Sequence, residues 1–239
     1  VPITHDRWDP EGLIVIDTEA PSLDAPPFAV AGIVYDFATR RVSRSWTSRC
    51  PTPATCTDWV KEHVLPVIDD PRTGVPVDVS SYGGLCRAWR EFYGPYRTTH
   101  AVLAHVAWPL ELGFLADAHR DQVQHSGPYP LIDLATTLAD HGHDPRSVDS
   151  YLAAAGVEIV GVPHHPLYDA HAALAAWRHL SSTRAKAYRR AAWHPRTWSK
   201  RSRCPHQDIP SRQGTLETLL VDSGRKLWRC TLCGHIWSI

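Results

Sequence analysis

Nowhere in its 239 residues does the chain hold the run of about eighteen apolar residues that a membrane-crossing helix needs. Val1 to Pro10 carries charges and prolines where a signal peptide has an apolar core, so a soluble, cytoplasmic protein is expected. Cysteine is scarce and unevenly used. Of the six, Cys50, Cys56 and Cys86 stand alone, which argues against a disulfide framework and leaves them as ordinary small side chains. Net charge is missing too, with 25 basic residues against 25 acidic ones, but the balance hides a split. Residues 1–182 hold 13 Lys and Arg against 22 Asp and Glu, residues 183–239 hold 12 against 3, and the two parts carry −9 and +9. An acidic body with a basic tail suits contact between the tail and nucleic acid. The length accommodates one sizeable α/β domain with a small appendage.

What is present begins with Leu13-Ile14-Val15-Ile16-Asp17-Thr18-Glu19. Four apolar residues, three of them β-branched, read as a buried strand that runs into two carboxylates. Alternation along a strand points Asp17 and Glu19 the same way and Thr18 the other. A divalent cation would relieve their repulsion, because hard ions take oxygen ligands. The plainer reading ends the strand at Ile16 and leaves both acids facing water.

Phe28 to Asp36 and Val42 to Ser48 read as the next two strands of an antiparallel meander. Trp59, Val60, His63, Val64 and Val67 then fall at helical spacings, with Thr57 or Asp58 as cap, and a second helix covers Tyr82 to Tyr93. Ala101 to Ala107 is a fourth buried strand, and Pro109 is expected to open a helix with Glu111 in its first turn. Leu131 to Leu134 is expected to start a helix ending near Gly142, and Ser147 to Ala155 a short one before Gly156. Pro163-His164-His165-Pro166-Leu167-Tyr168-Asp169-Ala170 leads into an alanine-rich helix, Asp169 to Leu180.

The acids therefore come in the order Asp17-x-Glu19, then Glu111 between His105-x-Ala107 and Leu112-Gly113-Phe114-Leu115, then His164-x4-Asp169-Ala170. Over roughly residues 11 to 181 this order resembles the DEDDh exonucleases of the RNase H-like superfamily. Asp58 to Pro66 also looks like the corresponding helix of bacterial RNase AS-type 3′–5′ exoribonucleases. The resemblance implies an RNase H-like α/β fold, a meander extended by parallel strands and flanked by helices. It also implies two Mg²⁺ or Mn²⁺ ions held by Asp17, Glu19, Glu111 and Asp169, with His164 as general base for the attacking water. Against the family pattern, Glu111 stands where Asp is usual, one extra residue separates it from His105, and Val106 replaces an asparagine. His165 has the x3 spacing at which a sister subfamily places tyrosine; His164, at x4, is the choice made here.

Residues 183–203 form a basic, aromatic linker or helix in which Arg189, Arg190, Trp193, Arg196, Trp198, Lys200, Arg201 and Arg203 suit single-stranded nucleic acid. Rings stack on bases while the cations follow the phosphates. In residues 204–239, Cys204-Pro205-His206 and Cys230-x2-Cys233 lie with 23 residues between His206 and Cys230. Cys-x2-Cys-Gly resembles a zinc-ribbon knuckle, so Cys204, His206, Cys230 and Cys233 are expected to hold one structural Zn²⁺, with His235 able to replace His206.

The expected activity is metal-dependent 3′–5′ exonuclease action on single-stranded RNA, or secondarily DNA, by residues 1–182. The alternative is a catalytically degenerate scaffold that only binds nucleic acid; a third option is a zinc-ribbon adaptor for protein partners. A homodimer is neither required nor excluded by the sequence.

Overall fold

The computed structural model describes residues 10–120, 131–193, 216–220, 226–230 and 236–238, with side-chain detail as far as 182. The chain divides into two units, Val1–Arg184 and Ala185–Ile239. In the first, β1 (Gly12–Glu19), β2 (Ala29–Asp36) and β3 (Arg41–Arg49) form the meander. β4 (His100–Ala104) and β5 (Leu131–Asp133) follow, giving a five-stranded sheet in the order β3-β2-β1-β4-β5. β1 pairs antiparallel with β2 and parallel with β4, and β5 is parallel to β4. The mixed sheet expected from the sequence is present.

Strand alternation divides the core between two faces. Ile14 and Ile16 of β1 pack with Val60 of α1 (Asp58–His63), Ile68 of α2 (Leu65–Ile68), Leu85, Trp89 and Phe92 of α3 (Tyr82–Tyr93), and Phe114 of α4 (Leu112–His119). Gly32 of β2 makes room on this side, since a Cβ there would meet the Phe92 ring at 2.5 Å. Leu13 and Val15 face the other layer, made of α5 (Leu134–Asp140), α6 (Val148–Ala155) and α7 (Pro166–Trp193). Ala170, Ala173 and Ala176 let α7 lie close against the sheet.

Three local expectations are corrected. The helix expected from Trp59 to Val67 is two short ones, α1 and α2, meeting at Val64 just before Pro66, whose ring disfavours a continuous ladder. Leu131–Asp133 is a strand, and it passes directly into α5 because the Asp133 carboxylate caps that helix through the Thr136 amide. Pro109 does not open a regular helix. Ala107–Glu111 forms a π-type turn with Trp108 extended and the Trp108–Pro109 peptide cis, and α4 starts only at Leu112.

The second unit contains an antiparallel sheet of β6 (Leu216–Leu220), β7 (Lys226–Cys230) and β8 (Ile236–Ser238). Of the expected zinc ligands, Cys204, His206, Cys233 and the alternative His235 lie outside the described residues, and Cys230 ends β7 without a described side chain. Arg196, Trp198, Lys200, Arg201 and Arg203 also lie outside them; Arg189, Arg190 and Trp193 are placed on α7 by backbone alone. Among the described residues no helix is long and apolar enough to cross a membrane.

Candidate active site

The site forms where one strand outlasts its neighbour. The ladder between β1 and β4 stops at Ile16 and Ala104, whereas β1 stays paired with β2 as far as Glu19 and Ala29. Asp17, Thr18 and Glu19 thus belong to the strand and do not trail into water, and they project past the carboxyl end of β4. Open α/β sheets place ligands in such crevices.

Three elements bring the other groups there. Asp169 sits in the first turn of α7, where the helix dipole favours an acid. His164 precedes it in a tight loop. Gly161 has φ +146°, where a Cβ would meet Tyr168 at 2.5 Å, and His164 itself takes a left-handed φ of +66°. Few residues other than glycine adopt that conformation, which here turns the imidazole toward the strand end. Glu19, His164 and Asp169 each offer a ligand atom within 4.8 Å of the others. Asp17 and Glu111 stand outside this tightest group. Glu111 comes from the π-type turn, is only 7% exposed, and accepts a hydrogen bond on Oε1 from the Thr18 hydroxyl at 3.1 Å.

The electrostatics follow from burial of like charges. Asp17 is held well above the usual carboxylate range by desolvation and then by Asp169, Glu19 and Glu111. Glu19 is raised for the same reasons, through burial, Asp169 and Glu111. Burial pushes Glu111 up to about 7, against hydrogen bonds from its own amide and from Thr18. Asp169 is likewise raised to about 7 by burial and then by Asp149, against a hydrogen bond from the His164 backbone. No cation is among the groups that shift these four acids. A donor set of carboxylate oxygens with one imidazole, crowded and unneutralised, fits a hard divalent cation.

The two histidines separate clearly. His164 lies beside Glu19 and Asp169, and its edge meets Trp59 at 5.1 Å between ring centroids. Trp59 stacks in turn on His63 at 5.0 Å, and burial, then the His63 charge, lower the His164 pKa below its ordinary value. His165 faces elsewhere: its Nδ1 accepts from the Leu167 amide at the start of α7.

No family model matches the sequence, and no curated protein matches it. Solved structures do. A full-length 3′-exonuclease superposes with a TM-score of 0.54 at 13% identity, over 74% of this chain and 61% of that one. The fold is thus similar to that of solved 3′-exonucleases. The nuclease domain of 3′hExo, a DEDDh family member bound to rAMP, superposes with a TM-score of 0.52 at 13% identity over 73% of this chain and 92% of that domain. The zinc-bound form of E. coli ExoI with single-stranded DNA gives 0.51 at 14% identity over 74% and 41%. This chain therefore spans less than two thirds of the full-length 3′-exonuclease and nearly all of the isolated nuclease domain.

Within this exonuclease fold, sequence reasoning passed over Thr18, Asp133 and the Trp59–His63 pair. Alternation points Thr18 away from its acidic neighbours, and toward Glu111. Asp133 was absorbed into a helix, yet its carboxylate accepts the Ala107 amide at 2.9 Å and anchors the turn that carries Glu111. Trp59 and His63 stand four apart on one helix, a spacing that already places both on a single face.

Proposed function

We propose that this chain is a metal-dependent 3′–5′ exonuclease of single-stranded nucleic acid. What supports the reading is the grouping of Glu19, His164 and Asp169 within 4.8 Å of one another, with Asp17 and Glu111 near enough for their charges to couple, in a fold similar to that of solved 3′-exonucleases. Asp17, Glu19 and Asp169 would hold one Mg²⁺ or Mn²⁺, and Asp17 with Glu111 a second. When bound, such a pair activates a water and offsets charge on the scissile phosphate.

The chain's own groups do the rest. His164, neutral near pH 7 because burial and His63 lower its pKa, takes a proton from the attacking water on a ring nitrogen. The exposed Trp59 behind it limits where that ring can turn. A free 3′ end suits the site because a terminal nucleotide reaches buried acids without the unstacking that a duplex interior demands. RNA is proposed ahead of DNA on the likeness of Asp58–Pro66 to RNase AS-type enzymes.

The remaining proposals concern the tail. Residues 1–182 carry the chemistry and the basic aromatic segment 183–203 holds the strand. Residues 204–239 are steadied by one Zn²⁺ on Cys204, His206, Cys230 and Cys233, with His235 as the alternative to His206.

Incubation with 3′-labelled and 5′-labelled single-stranded RNA and DNA, in Mg²⁺ or Mn²⁺, beside Asp17→Ala, tests the main proposal. Mononucleotides released from the 3′ end by the wild type alone support it. Binding without degradation under every condition means that the chain is a degenerate scaffold. For the tail, about one zinc per chain is expected, lost in Cys230→Ser.

A further inference from the structure

Glu111 departs from the family pattern twice, by one extra carbon and by one extra residue after His105. Glu111 ends an irregular turn ahead of α4, in which Trp108 is extended and the Leu112 amide reaches back to the carbonyls of Ala107 and Pro109. Asp133 holds the far end of that turn through the Ala107 amide. At the near end stands Thr18. Its hydroxyl meets Glu111 Oε1 at 3.1 Å, beside the stretch of β1 that β4 leaves uncovered. Thr18 is 6% exposed and Glu111 7%, so water competes little for this bond. In Asp17-Thr18-Glu19 the outer residues face one side of the sheet, and the middle one grips the acid that arrives from the other.

We propose that Thr18 is the positioning residue that sets the Glu111 carboxylate toward its cation, and that the longer side chain and the extra residue of the turn compensate for one another. This rests on the exonuclease reading above. It makes Glu111 a working replacement for the usual aspartate. Restoring that aspartate should therefore harm the site, because the shorter acid on a lengthened turn falls short of Thr18.

The experiment is Mn²⁺ titration of the full chain, followed by calorimetry and by the paramagnetic resonance of free Mn²⁺, with strand hydrolysis measured in parallel. Thr18→Val removes the hydroxyl and keeps the β-branched shape. Its Mn²⁺ affinity at the weaker site should fall roughly 10- to 100-fold, the usual cost of losing a group that orients a metal ligand. Thr18→Ser, which keeps the hydroxyl, should stay near wild type. Glu111→Asp should lose about as much as Thr18→Val, and the double variant no more than either, since both act through one contact.

Wild-type affinity in Thr18→Val, additive losses in the double variant, or wild-type affinity in Glu111→Asp would overturn the proposal. Should Thr18→Val fail to fold, Thr18→Ser and Glu111→Asp carry the decision. A wild type that binds Mn²⁺ but degrades no strand defeats the exonuclease reading while the affinities still judge Thr18. A wild type that hydrolyses normally beside an unaffected Thr18→Val defeats the Thr18 proposal alone. No Mn²⁺ binding at all defeats both.

Discussion

Two buried charged sites lie at the ends of β3 and β1, with β2 between them, and they are built on opposite terms. At the end of β3, Arg49 is 7% exposed; both terminal nitrogens of its guanidinium have acceptors, while its buried Nε has none. Nη1 donates to the carbonyls of Ile68 at 3.1 Å and Val75 at 3.0 Å, while Nη2 reaches Thr52 and Asp69. At the end of β1, four acids are raised first by burial, and Asp17 and Glu19 also by the charges of the others. A buried charge costs several kcal/mol unless it is matched. Arg49 is matched from within the chain, so its role is to tie α2 and the following loop to β3. The acids have no cation among the groups that shift them, so either protons or a bound cation must relieve their charge.

Exchanging a residue in each site should therefore act in opposite directions. The largest effect is expected from Asp17→Asn, with strand hydrolysis down roughly 10³-fold, on the scale of losing a central electrostatic group. The same change should raise the unfolding midpoint of the metal-free protein at pH 8 by a few degrees, about what relief of one buried repulsion provides. A fall in that midpoint would erase the contrast. Next, Arg49→Met should cost about 3 kcal/mol in denaturant unfolding, because two buried carbonyls and Asp69 lose their donor. Activity per folded molecule should be unchanged.

The paired histidines sharpen the comparison inside the site. His164→Ala should lower the hydrolysis rate about 10²-fold, in the range of a lost general base. His165→Ala, which removes an acceptor for the Leu167 amide and a contact with the Thr73 backbone, should cost about 1 kcal/mol of stability and little rate. Equal rate losses would mean that the left-handed turn at His164 does not select the base.

The smallest effect concerns pH. Glu111 and Asp169 titrate near 7 when folded, against ordinary values of 4.5 and 3.8. Across that window the folded state keeps protons that the unfolded state has released, so metal-free stability declines as pH rises from about 4 to 7. The unfolding midpoint should be lower at pH 8 than at pH 5 by about 5 °C, and Mn²⁺ should restore it mainly at pH 8. Glu111→Gln should flatten the dependence.

Much of this contrast was legible in the sequence where a period or a cap announced it. Alternation put Asp17 and Glu19 on one face, and helical spacing delimited α3 at Tyr82 and Tyr93. A mixed sheet flanked by helices was implied by the resemblance that the order of the acids carries. What stayed hidden had no period to reveal it. A π-type turn around Pro109 leaves no repeating apolar pattern, and a three-residue strand that runs straight into its helix through Asp133 looks like part of that helix. Arg49 was unreadable because two of its four acceptors are backbone carbonyls, which every residue has, and the other two lie at no telling spacing. The partner of Thr18 was hidden because alternation tells which way a residue points but not what meets it there.

The central claim is that the unmatched acids form a cation site, and calorimetric Mn²⁺ titration near pH 7 in buffers of different ionisation enthalpy tests it directly. The account predicts about two Mn²⁺ per chain bound with release of protons, since carboxyls near pKa 7 must shed them to act as ligands. In Asp17→Asn that binding should be lost. Mn²⁺ binding that persists in Asp17→Asn, or no Mn²⁺ binding by the wild type, would contradict it.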